Sequence, residues 1–298
     1  MTHFDTTNIL DRLEKTWKII FSSSWKTFII PPILATIIWY SIATVSFIGG
    51  IAVLWNVYIW GLWLDTIRTL LVLFFILATV ILGIYTYGYF VTYIYIASDQ
   101  SKHGIPLVFK EIHEETFLKI SSWFWYTLWF SLMLIWLSIL FILGYFVFWN
   151  FWYTTAPIFI GIFFWLSVIY SVGMPGYVLW WKSSFHDFSE THHLTYGRWW
   201  RVFGNILGMW IIVAMAVNIL QMPVWILVEP IINELDSLDG WSLENTQVFW
   251  FINILFTIFS FLVPFIYLLV IGMANLVFQK VFYYVIESEI LQVQKTQE

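Results

Sequence analysis

Three side chains past the midpoint of the sequence have the chemistry of metal ligands: His186, Glu190 and His193, in "SFHDFSETHH". Their i, i+4, i+7 spacing puts them on one face of a helix, and two imidazoles with a carboxylate suit zinc. Seven residues of helix, however, span about 10 Å along the axis, so no single ion reaches all three. Only a pair remains, His186 with Glu190 or Glu190 with His193, while the adjacent His192 points elsewhere. The pattern reads as a solvated helix face, and no metal site is predicted. "HEE" (His113–Glu115) lacks the second histidine of a zinc-protease helix, with Phe117 where that histidine is needed. The sequence has no phosphate-binding glycine loop and no "GxSxG" elbow. Its basic residues are too few and too dispersed for nucleic acid. The reading is therefore of a chain without catalytic residues, cofactor or metal: not an enzyme.

The elements that carry these residues belong to lipid. Of 298 residues, 61% are hydrophobic and 10% charged, with a mean hydropathy of +0.82; soluble domains carry about 25% charged residues. The absence of cysteine excludes disulfides, thiolate chemistry and cysteine-ligated zinc. The N-terminal "MTHFDTTNILDRLEKTWKII" has mixed charges and no early apolar run, so it does not read as a signal peptide.

Apolar stretches of about 20 residues read as membrane-spanning helices. The sequence predicts an all-α polytopic bundle of about six transmembrane helices, over about 28–48, 69–97, 123–148, 157–181, 202–228 and 248–279. A surface helix over 8–22 precedes them, an acidic outer loop occupies 229–245, and a C-terminal tail follows over 281–298. The segment 51–63 is read as a helix on the outer surface. A second crossing there would invert everything downstream and scatter the basic residues. With both termini inside, every Lys and Arg except Arg68 falls on the inner side, as the positive-inside rule requires.

The inner segments share a design. "NILDRLEKTWKIIF", "IPLVFKEIHEETFLKI" and, less regularly, "SSFHDFSETHHLTYG" place apolar residues at helical spacing, as amphipathic helices at the headgroups do. Each leads through a small or polar break ("FSSSWK", "KISSWF", "YGRWWR") into a span. This rhythm recurs three times at unequal spacing. Aromatic and basic residues collecting at helix entrances would give the same pattern without a true repeat.

"GMPGYVLWWKSSFHDFSETHHLTYGRWWRVFGNIL" (Gly173–Leu207) resembles the central motif of a group of six-span bacterial membrane proteins. The group includes the membrane domain attached to some glycerophosphoryl diester phosphodiesterases. Pro175 and Gly176 match its Pro-Gly near the end of span four. Leu194, Thr195, Gly197, Arg198, Trp199, Trp200 and Arg201 match its entrance to span five. Thr191 and His192 depart from it, where relatives often carry serine-tryptophan. The resemblance implies a six-span fold and a cell-membrane location without the soluble catalytic barrel. Gly197 is expected to end a surface helix in a left-handed turn. Trp199 and Trp200 are expected at headgroup level, with Arg198 and Arg201 on the inner side.

None of the predicted spans contains Asp, Glu, Lys, Arg or His. Their polar side chains include Asn205, Asn218, Asn253 and Asn275, which suit hydrogen bonds between helices or the lining of a midplane polar cavity. The functional expectation is a non-enzymatic scaffold or accessory subunit that organises envelope lipid or a partner membrane protein. The alternative is an uncoupled permease or lipid transporter using that cavity.

Overall fold

A computed structural model describes residues 9–21, 26–31, positions 33, 34, 37, 38, 41, 42, 45 and 49, and then 63–147, 152–180, 182, 184–195, 197–237 and 247–295. The elements are helices: α1 Ile9–Ile20, α2 Trp63–Lys102, α3 Phe109–Val147, α4 Trp152–Leu179, α5 Phe185–Thr195, α6 Trp199–Ser237 and α7 Gln247–Lys295. The described positions between 26 and 49 are helical too. Among the described residues, five stretches are long and apolar enough to cross a membrane: Leu73–Lys102, Phe109–Tyr145, Ala156–Leu179, Trp199–Pro223 and Ile266–Gln292. The chain is an all-α, multi-pass membrane protein. The span expected over 28–48 is described only in part. The outer-surface helix expected over 51–63 lies outside the described residues except for Trp63, which opens α2.

The helices outrun the spans read from hydropathy. Forty residues of α2 extend about 60 Å, against about 30 Å of hydrocarbon. The separate surface helix expected before Ser121 is the projecting first part of α3, which runs unbroken through "KISSWF". Two serines are neither Gly nor Pro and supply no cap in mid-helix, so nothing stops the helix there. The first residues of the expected acidic loop, up to Ser237, extend α6; residues 238–246 lie outside the described residues.

The larger difference is at the C-terminus. The segment read as a tail is the last third of the 49-residue α7, and it is the core. Val281, Phe282, Val285, Ile286 and Ile290 are buried, because α7 packs against α1, α2, α4, α5 and α6. Lys280 looks like the end of a span, but the apolar run continues past it in "VFYYVIESEIL".

Buried residues gather at one end of the bundle: 90–98 of α2, 112–126 of α3, 168–178 of α4, 202–209 of α6 and 277–290 of α7. At the same end Tyr126, Tyr170, Tyr177 and Phe188 join α3, α4 and α5, with Tyr170 and Phe188 stacked at 4.5 Å. Away from this end the helices present Leu, Ile, Phe and Trp outward, as lipid-facing surfaces do.

Between α5 and α6 the expected break is present. Gly197 has φ 70°, and the Arg198 N–H donates to the Thr195 carbonyl at 3.0 Å. A side chain in this left-handed conformation costs about 1–2 kcal/mol. Gly197→Ala is expected to lower stability by that amount in thermal unfolding of the purified protein, although a Cβ there meets nothing.

Candidate functional site

The polar chemistry of the bundle lies at its packed end. On α1, Arg12 turns inward and is only 4% exposed. Its Nε donates to Glu289 Oε2 of α7 at 2.7 Å, and its Nη1 to Asn205 Oδ1 of α6 at 2.6 Å. Lys15, one turn further along α1, donates to Glu289 Oε1 at 2.8 Å. Asn205 Nδ2 donates to the Arg201 carbonyl at 2.8 Å. Both oxygens of Glu289 therefore accept from cations, and three helices meet in one charge-assisted network. The hydrogen bond to Asp11, followed by that to Glu289, holds Lys15 above its ordinary 10.5, so it stays charged at neutral pH.

Glu287, two residues before Glu289, points to a different side of α7, since successive helical positions turn by about 100°. It is 3% exposed and packs closely against α4 at Gly176. A Cβ at Gly176 would collide with the carboxyl group. Gly173, one turn earlier, similarly leaves room for Thr191 of α5. The two glycines of "GMPG" thus let α5 and α7 close on α4. A pocket of about 280 Å3 opens here, walled by Gly176, Tyr177, Trp180, Lys182, Thr191 and Glu287.

The pocket's rim is set by the start of α5. The Ser184 hydroxyl donates to Asp187 Oδ2 at 2.6 Å, and the Asp187 N–H donates to Ser184 Oγ at 3.1 Å, a reciprocal helix cap. Lys182 Nζ lies 3.5 Å from Asp187 Oδ1. The Ser184 hydroxyl, and then Lys182, hold the Asp187 carboxyl below its ordinary 3.8. A carboxyl lowered on folding contributes stability above its unfolded value, and that contribution is lost as pH falls through the lowered value. The acid limb of unfolding is therefore expected to move to higher pH in Ser184→Ala, measured by melting temperature between about pH 5 and pH 2. Above that window the variant's deficit stays constant.

A third feature lies beside α1. A cleft of about 420 Å3 is lined by Leu13 and Trp17 of α1, Phe21 just past its end, Val217 of α6, and Ala274 and Phe278 of α7, among other apolar side chains. Trp17 and Phe21 pack on each other at 4.1 Å.

The structure disperses the asparagines read as a polar cavity. Asn205 is buried in the Arg12 network. Asn218, about 20 Å further along α6, is exposed and bonds back to the Ala214 carbonyl at 2.9 Å. Asn275 accepts from Gln279 at 2.9 Å and stands at the edge of the apolar cleft. The side chain of Asn253 lies outside the described residues. Of the interface motif, Pro175 and Gly176 lie inside α4, and Gly197 makes the turn. Trp199 is half-buried, stacked on Phe203 at 5.0 Å, while Trp200 is 76% exposed. Arg198 is half-buried and Arg201 exposed.

His186 and His193 are exposed on α5, and the side chains of Glu190 and His192 lie outside the described residues. His113 sits in an aromatic cluster: its Nδ1 bonds the Tyr89 hydroxyl, and Phe117 meets it edge-on at 4.7 Å. Glu287 and Glu289, which carry the site, were placed by sequence reasoning in a tail. The signal that could have found them is the helical spacing of Val281, Tyr284, Val285 and Ser288 around them.

Comparison with protein-family models, with curated proteins and with solved structures finds no match for this chain. Fold and site define a class: a multi-pass helical membrane protein with a buried ionic network at its packed end.

Proposed function

We propose that this chain is a non-enzymatic membrane protein that holds lipid at the inner face of the cell membrane, as a scaffold or accessory subunit for envelope lipid or a partner protein. The observation that carries the reading is the apolar cleft beneath α1. Two of its walls, α6 and α7, contain membrane-spanning stretches. The third, α1, is amphipathic and tied to both by the Arg12 network. A cleft lined in this way at the edge of the hydrocarbon suits an acyl chain. Trp200, Trp180 and Phe185 are exposed and suit a headgroup-level belt.

The distribution of basic residues supports placing this end, and both termini, on the cytoplasmic side. The resemblance of Gly173–Leu207 to six-span bacterial membrane proteins agrees with that arrangement. A permease would need its asparagines on one polar path; Asn205 is engaged by Arg12, and the cavity beside Asn275 is apolar.

Reconstitution separates the two readings. Proteoliposomes of the purified protein are expected to show no flux of small polar solutes above that of empty vesicles. Saturable flux would overturn the scaffold reading in favour of the permease. Orientation is read in the same vesicles or in cells: a cysteine introduced at Asp239 labels from outside and one at His192 does not.

A further inference from the structure

Two carboxylates lie two residues apart on α7, and their surroundings differ. Glu289 accepts from Arg12 and Lys15. Glu287 is as deeply buried as Arg12, yet among the described residues no cation lies within ion-pairing distance of it. It packs against Gly176 of α4, and the cation lining the same pocket is Lys182. A carboxylate has about four acceptor positions, and burying its charge without a cation is costly. A pocket opens beside it, bounded by Tyr177 and by the exposed Trp180. Carboxylate and aromatic faces together are the recognition chemistry of an ammonium group. Lys182, on the rim and 3.5 Å from Asp187, is the cation that a phosphate there would meet.

We propose that the Glu287 pocket binds a phosphoethanolamine group, its primary ammonium on Glu287 and its phosphate toward Lys182. The volume, about 280 Å3, is at the small end of ligand sites, which begin near about 300 Å3, and fits a headgroup rather than a whole lipid. The source that follows from the lipid-holding reading, on which this inference rests, is an aminophospholipid; free phosphoethanolamine shares the chemistry.

Native mass spectrometry of the full chain in mild detergent tests this, with phosphatidylethanolamine, phosphatidylglycerol and soluble phosphoethanolamine as separate probes. The wild type is expected to prefer phosphatidylethanolamine over phosphatidylglycerol by about tenfold, the worth of one charge-assisted contact. Glu287→Gln, which keeps the shape, is expected to abolish the preference while total bound lipid stays unchanged. Equal binding of the two lipids by the wild type, or an unchanged preference in Glu287→Gln, overturns the proposal. Binding of soluble phosphoethanolamine without retained lipid would support the pocket and refute the lipid-holding reading. Binding of neither would refute both. Should Glu287→Gln not fold, carbodiimide modification of Glu287 in the wild type, followed by peptide mapping, gives a second readout. Phosphoethanolamine is expected to slow it about tenfold, and no protection would sink the proposal.

Discussion

Replacing Arg12 with alanine lowers the stability of the purified protein by about 3–5 kcal/mol, the cost of breaking a buried ion pair by removing one partner. Of the substitutions considered, this has the largest expected effect. Arg12 is buried and shared by three helices. Its loss strands Glu289 with one half-exposed cation, Lys15, and leaves Asn205 Oδ1 without its donor. The cost comes from the groups left behind more than from the pair itself. The double variant Arg12→Met with Glu289→Met is therefore expected to recover most of the loss, since well-packed apolar pairs often replace buried ion pairs at little cost. Lys15→Ala, at an exposed position, should cost about 1 kcal/mol or less. Thermal unfolding in one detergent reads all three. An Arg12→Ala protein within about 0.5 kcal/mol of wild type would mean that α1 is not held by this network.

Gly176→Val separates α4 from α7. The new side chain would occupy the position of the Glu287 carboxyl group, which must then shift into the pocket beside it. Overpacking of this kind costs about 1–3 kcal/mol, and the pocket beside Glu287 closes. Because the clash is with one side chain, the two positions are coupled: Gly176→Val combined with Glu287→Ala should be more stable than Gly176→Val alone. Simple additivity of the two single-variant losses would show that the collision is taken up elsewhere. The pairing also gives the Pro175–Gly176 motif a physical meaning. Glycine is the residue that admits a buried carboxylate from the neighbouring helix at this point.

These two sites show what the sequence made legible and what it did not. The membrane class follows from the scarcity of charge, and the all-α bundle from the length of the apolar runs. The Gly197 turn follows from a glycine placed between two helical patterns, because a left-handed break has a residue-level signature. The helix α1 was visible, yet its inward charge was not: Arg12 reads like Lys18, and only the position of Glu289, 277 residues away in sequence, distinguishes them. Glu287 and Glu289 escaped notice because hydropathy ends a span at the first charge, here Lys280. A helix in a bundle continues as long as neighbours satisfy its polar groups. Ser121 and Ser122 misled in the opposite direction, since polar residues inside α3 resemble a break while leaving the backbone helical. The asparagines were legible as polar, but whether they meet depends on position along the axis, which puts Asn205 and Asn218 about 20 Å apart on α6.

In the proposed function, α1 and the spans it is tied to hold lipid in the apolar cleft. This is tested most directly by the phospholipid retained per protein after purification in mild detergent, compared between wild type and Trp17→Ala with Phe21→Ala. Both rings line the cleft and are about half exposed, so the double variant should melt within about 1 kcal/mol of wild type. The wild type is expected to retain phospholipid in stoichiometric amount, and the double variant less than about half as much, given the apolar area removed. A wild type that purifies free of phospholipid, or a folded double variant that retains as much as the wild type, would contradict the claim.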